Sequence, residues 1–326
     1  MMNRPDISIV IPVYNRAEEL RRCIASILPQ RNSSFEIIVA DDASTDFDYQ
    51  TLRTLSPCIS VLTAKVNSGP AYLRNLAINA ARGTYILFLD SDTCLPSTDT
   101  LRHLLDFFAS KPKTGTVGGE VRVYENDPSR VYGRLIAGDG SSKETFVRNA
   151  EHCQGQTDFL ATCCCMVPAE LARKVGGFDP YYVFGSEDKD FGYKIIKLGF
   201  RNYVSADCAV EHYHSPKGRN ANETYLYQFT RLRFAFKHFS TAESLLIGLK
   251  CLLHFFIFYL FLPFKLAYFT FSRRTIVKEH LLGGYLILKA LTTCVATYRE
   301  IRSSVNIDFL KAEEMERYLS WRKRRK

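Results

Sequence analysis

The chain has 326 residues, which is room for one large domain and an additional segment. It carries 43 Lys and Arg against 34 Asp and Glu, and the resulting net charge of +9 is concentrated after Arg219. The ten cysteines include no Cys-x-x-Cys pair, which argues against the common zinc sites and favours buried, reduced thiols. No nucleic-acid recognition module accompanies the basic C-terminus. The N-terminus lacks the long apolar core of a signal peptide, so we expect the main domain on the cytoplasmic side.

The first 95 residues alternate short apolar runs with amphipathic segments. The spacing predicts helices over Ala17–Leu28 and over a segment that includes Leu73, Leu76, Ala77 and Ala80. Alternating strands and helices predict an α/β fold with a parallel, doubly wound sheet and one crevice at the carboxyl ends of its strands. No Gly-x-Gly-x-x-Gly follows any strand, which argues against a dinucleotide-dependent dehydrogenase. The predicted buried strands are Ile7–Val13, Phe35–Ala40, Ile59–Ala64 and Tyr85–Leu89.

The fourth predicted strand ends in Asp90, Ser91 and Asp92. Carboxylates one residue apart suit a hard divalent cation that holds a diphosphate, although the same residues also form ordinary turns and helix caps. Arg74 lies near the first turn of the second helix, beside a strand's carboxyl end, where an arginine can bind phosphate or base oxygens. A solvated surface arginine is the alternative for this position.

The second half of this region contains a further cluster of acids. Glu187 and Asp188 begin a predicted helix whose apolar face includes Phe191, Ile195 and Leu198. A carboxylate there is either a helix cap or a general base that removes a proton from a hydroxyl group. The other predictions are a helix over Leu101–Ser110, a short strand near residues 116–120, a loop or excursion over Tyr124–Arg148, and a strand over Phe159–Val167 whose three cysteines serve packing.

Two histidines, His212 and His214, follow the next predicted strand, near residues 200–204. Each is a candidate third metal ligand, with a surface histidine as the alternative.

Four motifs stand in order: ISIVIPVYNR at residues 7–16, VADDASTD at 39–46, NSGPAYLRN at 67–75 and FLDSDT at 88–93. With GFD at 177–179 and EDKD at 187–190, this series resembles the family 2 nucleotide-sugar glycosyltransferases with the GT-A fold. The resemblance covers roughly the first 215 residues. Ala43 stands where the family often has glycine.

The resemblance implies a role for each matching position. Asp188 would be the catalytic base, and Glu187 would orient donor or acceptor. Asp90, Asp92 and His212 would bind Mn²⁺ or Mg²⁺, with His212 aligning better than His214. One base, one metal and no second carboxylate placed as a nucleophile imply a single displacement with inversion. The donor contacts would be Pro12, Tyr14, Asn15, Asp41, Asp42, Asn67, Arg74, Asp90 and Ser91.

The composition changes after residue 220, and Tyr225, Phe229, Leu232 and Phe236 are spaced to share one face of a predicted helix. We expect a catalytic domain over residues 1–220, with a nucleotide-binding half to about residue 95, and a helical membrane-attachment region over 221–326. Its apolar stretches are short for spans and carry lysines, which favours a monotopic or re-entrant attachment to membrane lipids. A two-helix span and the core helices of a soluble cap domain are the alternatives. The final WRKRRK is predicted to contact lipid headgroups.

The sequence therefore predicts a metal-dependent, inverting glycosyltransferase at the cytoplasmic membrane face. It would move a sugar, from a UDP-sugar as the expected nucleotide-sugar donor, to a hydroxyl of a glycan or lipid-linked acceptor. Synthesis of a polysaccharide or glycolipid is the expected role. The alternatives are a nucleotidyltransferase of similar fold and a catalytically silent membrane scaffold that keeps a nucleotide pocket.

Overall fold

A computed structural model describes residues 4–124, 129–131, 133–145, 155–182, 185–213, 223–268 and 273–323. Most described strands belong to one mixed sheet, with the order β10-β12-β6-β11-β4-β1-β2-β3, while β8 and β9 pair with each other. The strands are β1 Ile7–Val13, β2 Phe35–Asp41, β3 Ile59–Thr63, β4 Tyr85–Phe88, β5 Thr93–Cys94, β6 Thr114–Val123, β7 Ser129–Val131, β8 Gly133–Ile136, β9 Ser142–Thr145, β10 Gly155–Thr157, β11 Cys165–Pro168 and β12 Arg201–His212.

The first 95 residues have the predicted parallel arrangement. β1 pairs in parallel with β2 and β4, and β2 pairs in parallel with β3. Successive residues of a strand point to opposite faces, so Ile9 and Ile11 join one apolar cluster and Val10 joins another. Both faces of the sheet are therefore buried, which is why its strands are nearly continuous apolar runs.

Five helices cover the two faces of this sheet. Two of them, α1 and α3, contribute to the first cluster and bury apolar residues such as Leu20, Ile24 and Leu104. The second cluster contains residues of α2, α4 and α5. Leu198, predicted on the apolar face of α5, is 43% exposed because it lies just beyond the helix, so that prediction is wrong. The helices are α1 Ala17–Ile27, α2 Pro70–Ala80, α3 Thr100–Ser110, α4 Ala169–Lys174 and α5 Glu187–Lys197.

Four segments differ from prediction. β6 and β12 extend beyond the strands predicted near residues 116–120 and 200–204, so His212 lies within β12 and does not follow it. The strand predicted over Phe159–Val167 is shorter: residues 161–164 form a turn, closed by Cys164 N–H donating to the Ala161 carbonyl at 3.2 Å, and only β11 pairs in the sheet, antiparallel to β4. A buried apolar run suits a turn as well as a strand, which explains the error. The Tyr124–Arg148 excursion contains β7, β8 and β9 in its described part, while residues 125–128, 132 and 146–154 lie outside the described residues.

The C-terminal part contains a helical bundle and one further helix that packs outside the bundle. On α6, Phe229, Leu232 and Phe236 are buried in a cluster shared with α7, α8 and α9, as the helical spacing predicted. None of the described helices is both long enough and apolar enough to cross a bilayer. The helices are α6 Glu223–His238, α7 Thr241–Tyr268, α8 Arg273–Ala296, α9 Tyr298–Ser303 and α10 Ala312–Lys323.

The last helix, α10, packs on α2, within the first 95 residues. Met315 and Tyr318 are buried with Tyr72 and Leu73 of α2, and Trp321 packs against this cluster. Arg322 donates hydrogen bonds to Asn67. Trp321 and Arg322, which we predicted to contact lipid headgroups, are therefore engaged within the chain, and residues 324–326 lie outside the described part.

Candidate active site

The loops that follow β1 and β2 form one wall of the crevice. Asn15 N–H donates to Ser44 Oγ at 3.0 Å, and Asn15 Oδ1 accepts from Thr45 N–H at 2.8 Å. Asp41 Oδ1 accepts from Ser44 N–H at 3.0 Å. Tyr14, next to Asn15, is 43% exposed and presents its ring to solvent. Of the predicted donor-binding residues here, Pro12 lies within β1, and the others lie at the carboxyl ends of these two strands.

Asp42 holds the loop that precedes α2. Its carboxylate accepts from the N–H groups of Ser68 at 2.6 Å and Gly69 at 2.9 Å, and from Asn67 Nδ2 at 3.0 Å. Burial raises the pKa of Asp42, and the two backbone hydrogen bonds oppose that rise. The structure thus brings Asp42 and Asn67 together, and both carboxylate oxygens of Asp42 shape the loop.

The predicted metal ligands converge where β4 ends. β5 pairs with the end of β12, with Thr93 opposite His212, and this pairing brings the histidine beside the acids. Single ligand atoms of Asp90, Asp92 and His212 all lie within 4.8 Å of one another. Two hard carboxylates and an imidazole are a donor set that fits Mn²⁺ or Mg²⁺. His214 lies outside the described residues.

Hydrogen bonds already organise this trio. His212 Nε2 lies 3.1 Å from Asp92 Oδ1, and Arg16 Nη1 donates to Asp92 Oδ2 at 2.8 Å. Burial lowers the pKa of His212, but hydrogen bonds with Asp92 and Cys163 raise it to about 11. A cation bound to Nε2 would replace the proton that this environment favours. Ser91, between the two acids, is buried.

Arg74 connects the three candidate metal ligands to the predicted catalytic pair. Its guanidinium is buried and donates to Asp90 Oδ1 at 3.0 Å and to Glu187 Oε1 at 3.1 Å. Burial and the charge of Asp188 raise the pKa of Glu187 to about 7, although Arg74 acts to lower it. The solvated-arginine alternative is therefore wrong: Arg74 contacts acids on two sides of the crevice.

Asp188 lies beside Glu187 at the start of α5. The residue before this pair, Ser186, has a φ of 70°, a left-handed conformation that turns the chain into the helix. Asp188 Oδ1 accepts from Lys189 N–H at 2.7 Å, and its Oδ2 lies 3.4 Å from Arg134 Nη1 on β8. The side chain of Asp188 keeps 12% exposure. A carboxylate with this access can receive a proton from a bound molecule.

Residues 8–176, just over half of the chain, match the family model described as Glycosyl transferase family 2. The chain belongs to glycosyl transferase family 2. It is 38% identical over 109 residues to an uncharacterized glycosyltransferase of Haemophilus influenzae, a match that covers 32% of this chain and 43% of that protein. It is 25% identical over 213 residues to the putative teichuronic acid biosynthesis glycosyltransferase TuaG of Bacillus subtilis, which covers 64% of this chain and 79% of TuaG.

Solved structures share the fold of this family 2 chain. GalNAc-T7, crystallised with UDP, GalNAc and Mn²⁺, matches 74% of this chain and 49% of its own, with a TM-score of 0.61 and 17% identity. The mannosyltransferase PcManGT of Pyrobaculum calidifontis, in complex with GDP-Man and Mn²⁺, matches 98% of this chain and 84% of its own, with a TM-score of 0.53 and 17% identity. The GT-A fold expected from the motifs is confirmed.

Three residues of the site were not anticipated from the sequence of this family 2 chain. Arg16 contacts Asp92, Arg134 contacts Asp188, and the thiol of Cys163 acts to raise the pKa of His212. Arg16 is the last residue of the first motif, which is the one available signal. Arg134 lies in the excursion and Cys163 in the turn, and no local pattern marks either of them as a site residue.

Proposed function

We propose that this chain is an inverting glycosyltransferase that transfers a sugar from a nucleotide-sugar donor to a hydroxyl group. The observation that carries this proposal is the Arg74 bridge between Asp90 and Glu187. It brings the candidate site for a donor diphosphate next to the candidate base, and a transferase needs these two sites to be adjacent. A nucleotide-binding scaffold has no use for that adjacency.

The donor side uses the wall and loop described above. The Tyr14 ring would stack on the base, and the loop held by Asp42 would complete its pocket. Asp90, Asp92 and His212 would hold Mn²⁺ or Mg²⁺, which supplies positive charge to stabilise the departing nucleoside diphosphate. Mn²⁺ accompanies a nucleotide or nucleotide sugar in both structural neighbours, which supports this assignment. One neighbour holds UDP and the other GDP-Man, so our UDP-sugar proposal rests on the motifs.

The acceptor side uses the start of α5. Asp188 would remove the proton from the acceptor hydroxyl as that oxygen attacks the anomeric carbon. Glu187 is held by Arg74, so we assign it to orientation rather than to covalent catalysis. A single displacement inverts the anomeric configuration. NMR of the product's anomeric centre would show retention if this assignment is wrong.

The acceptor is proposed to be a growing glycan or its lipid-linked form. TuaG, named for teichuronic acid biosynthesis, matches this chain over 79% of its own length and supports a role in polysaccharide synthesis.

An exposed apolar stripe on α7 supports attachment to a membrane. At 3.6 residues per turn its members fall within about 120° of the helix surface, and each is 46–70% exposed. Exposed Lys250 borders the stripe. A lysine beside such a stripe suits the interface of an anionic membrane, so we propose monotopic attachment at the cytoplasmic face. The stripe consists of Leu245, Leu246, Leu249, Leu253, Phe256 and Ile257.

Calorimetric titration with UDP and GDP, with and without Mn²⁺, tests the catalytic proposal. We expect metal-dependent binding by the wild-type protein, loss of binding in Asp92→Asn, and retained binding without turnover in Asp188→Asn. Asp106→Asn, a change on the exposed face of α3, serves as the control. Metal-independent binding would favour a scaffold, and loss of nucleotide binding in Asp188→Asn would contradict the role of the base.

Vesicle flotation tests the membrane proposal. The double variant Leu249→Glu/Phe256→Glu places two charges in the stripe, so it should no longer float with phosphatidylglycerol vesicles. Leu55→Glu, at a residue 57% exposed on the catalytic domain, should still float with them. Flotation of the double variant at the wild-type level would refute the attachment.

A further inference from the structure

The C-terminal helix α10 contacts the loop of the candidate donor site. Tyr318 Oη donates to the Ser68 carbonyl at 2.7 Å. Arg322 donates from Nε to the Asn67 carbonyl and from Nη2 to Asn67 Oδ1, both at 2.9 Å. Arg322 Nη1 also donates to Tyr318 Oη at 2.8 Å, so the two side chains act as one unit. These partners lie about 250 residues apart in the chain.

The same loop is held from its other side by Asp42. That carboxylate binds the N–H groups of Ser68 and Gly69, whereas α10 binds the carbonyls of Asn67 and Ser68. Gly69 has a φ of 88°, a conformation that glycine adopts without strain. Asn67 and Ser68 are therefore held from both sides, by Asp42 on one side and by α10 on the other, while Gly69 is held by Asp42.

The contact is part of the packed protein and not a loose surface contact. Tyr318 is 1% exposed, and its ring stacks on Tyr72 of α2 with centroids 5.9 Å apart. Trp321 stacks on Tyr318 with ring centroids 5.8 Å apart and meets Tyr181 edge to face at 4.9 Å. A buried phenol hydroxyl needs hydrogen-bond partners, and Tyr318 has both an acceptor and a donor here.

We propose that Tyr318 and Arg322 are positioning residues of the donor site, which hold residues 67–69 in the conformation that receives the nucleotide. This inference rests on the proposed function, since that function assigns the loop and Asp42 to the donor nucleotide. A loop that is already ordered loses less conformational entropy on binding, so the nucleotide binds more tightly. The C-terminal helix thereby contributes to donor affinity without contacting the reacting atoms.

Two conservative variants test this role in the full-length protein. Tyr318→Phe keeps the ring and removes the hydroxyl, and Arg322→Lys keeps the charge and removes the forked hydrogen bonds. Arg317→Lys, an exposed position on the same helix, is the matched control. Calorimetry uses UDP or GDP, whichever the wild-type protein binds, in the presence of Mn²⁺.

We expect both variants to weaken the nucleotide Kd by about tenfold, as expected for the loss of about 1.4 kcal/mol of preorganisation. The donor KM should rise, while kcat at saturating donor and the acceptor KM stay at wild-type values. Amide hydrogen exchange of Ser68 and Gly69 should accelerate in the free variants. A merely structural role would lower thermal stability and leave the donor KM unchanged.

Three results would overturn the inference. A nucleotide Kd within twofold of the wild-type value in both variants refutes the inference and leaves the proposed function intact. Unchanged amide exchange at Ser68 and Gly69 in the variants has the same consequence. Arg322 is only partly buried, so Arg322→Lys remains informative if Tyr318→Phe fails to fold. Absence of any nucleotide binding by the wild-type protein refutes the proposed function, and this inference with it.

Discussion

Lys237 of α6 lies at the centre of a buried ion-pair network that ties the bundle to α5. Its Nζ lies 2.8 Å from Asp179 Oδ2 and 2.8 Å from Asp190 Oδ1, and all three side chains are fully buried. Asp190 also lies 2.6 Å from His238 Nε2, and Asp179 lies 2.7 Å from Arg233 Nη2. Because α5 begins with the predicted base, this network positions the catalytic helix. The substitution Lys237→Met tests its energetic contribution.

The expected loss follows from the contacts. Methionine fills most of the volume of lysine but removes two charge-assisted hydrogen bonds, each contributing about 1.5–3 kcal/mol. Arg233 still neutralises Asp179, and Lys194, 3.8 Å from Asp190, offsets part of the remaining charge. We therefore expect the free energy of unfolding to fall by about 3 kcal/mol at about pH 8, the lower end of the range for breaking a buried pair.

The decrease in unfolding free energy caused by Lys237→Met should depend on pH, because His238 titrates beside Asp190. Burial lowers the pKa of His238, and the charge of Lys237 lowers it further, against the effect of Asp190. In the wild-type protein this depressed pKa costs stability as pH falls below about 6.5, because the unfolded state binds the proton more readily. Removal of Lys237 lets the pKa of His238 rise, so protonation then supports Asp190. The difference between variant and wild type should shrink at about pH 5.5.

Urea denaturation at the two pH values measures both effects. Lys174→Met, at an exposed position on α4, should change stability by no more than about 0.5 kcal/mol. The double variant Lys237→Met/Asp190→Asn should recover part of the loss, because the uncompensated carboxylate is gone. A loss below about 1 kcal/mol, or one that is equal at both pH values, would refute this account of the network.

Three further predictions follow from single side chains. Ala43 has a φ of 58°, so Ala43→Gly should raise the free energy of unfolding by up to about 1 kcal/mol in thermal melts; a loss would show that no strain is stored there. The side-chain amide of Asn75 donates to the Phe178 carbonyl and accepts from the Phe178 N–H, both at 2.8 Å. Asn75→Asp should cost about 3 kcal/mol at neutral pH and less in acid, and a pH-independent cost would contradict the burial of a charge. Arg74→Met removes the guanidinium that acts to lower the pKa of Glu187, so this pKa should rise above its value of about 7 in an NMR titration of the carboxyl group. An unchanged pKa would contradict the control of Glu187 by Arg74.

Local sequence patterns were enough to predict the strand framework of the first 95 residues. β1 has the predicted bounds, and β2, β3 and β4 differ from prediction by one residue at their ends. These strands are apolar on both faces, and each is short and bounded by polar residues, so a local pattern defines them. The acids after β4 could be placed in the crevice because parallel strands end at the same edge of a sheet.

The side chains that contact those acids depend on the tertiary structure. His212 lies 120 residues after Asp92, and only the β5–β12 pairing brings the two together. Arg74 turns inward because acids from two separate elements lie within reach of its guanidinium, which helical spacing does not encode. A motif can indicate that a side chain belongs to a site, but its contacts depend on chain segments far away in sequence.

The C-terminal third shows the same division more strongly. Helical periodicity identified the buried face of α6, but it did not indicate that Lys237 pairs with the acids around α5. The basic composition of the final residues predicted a lipid contact for the end of α10, where Arg322 instead bonds to Asn67. Apolar and basic residues on a helix suit either a membrane or another part of the protein. Only the packed structure shows which surface lies opposite them, because that depends on long-range contacts rather than on local spacing.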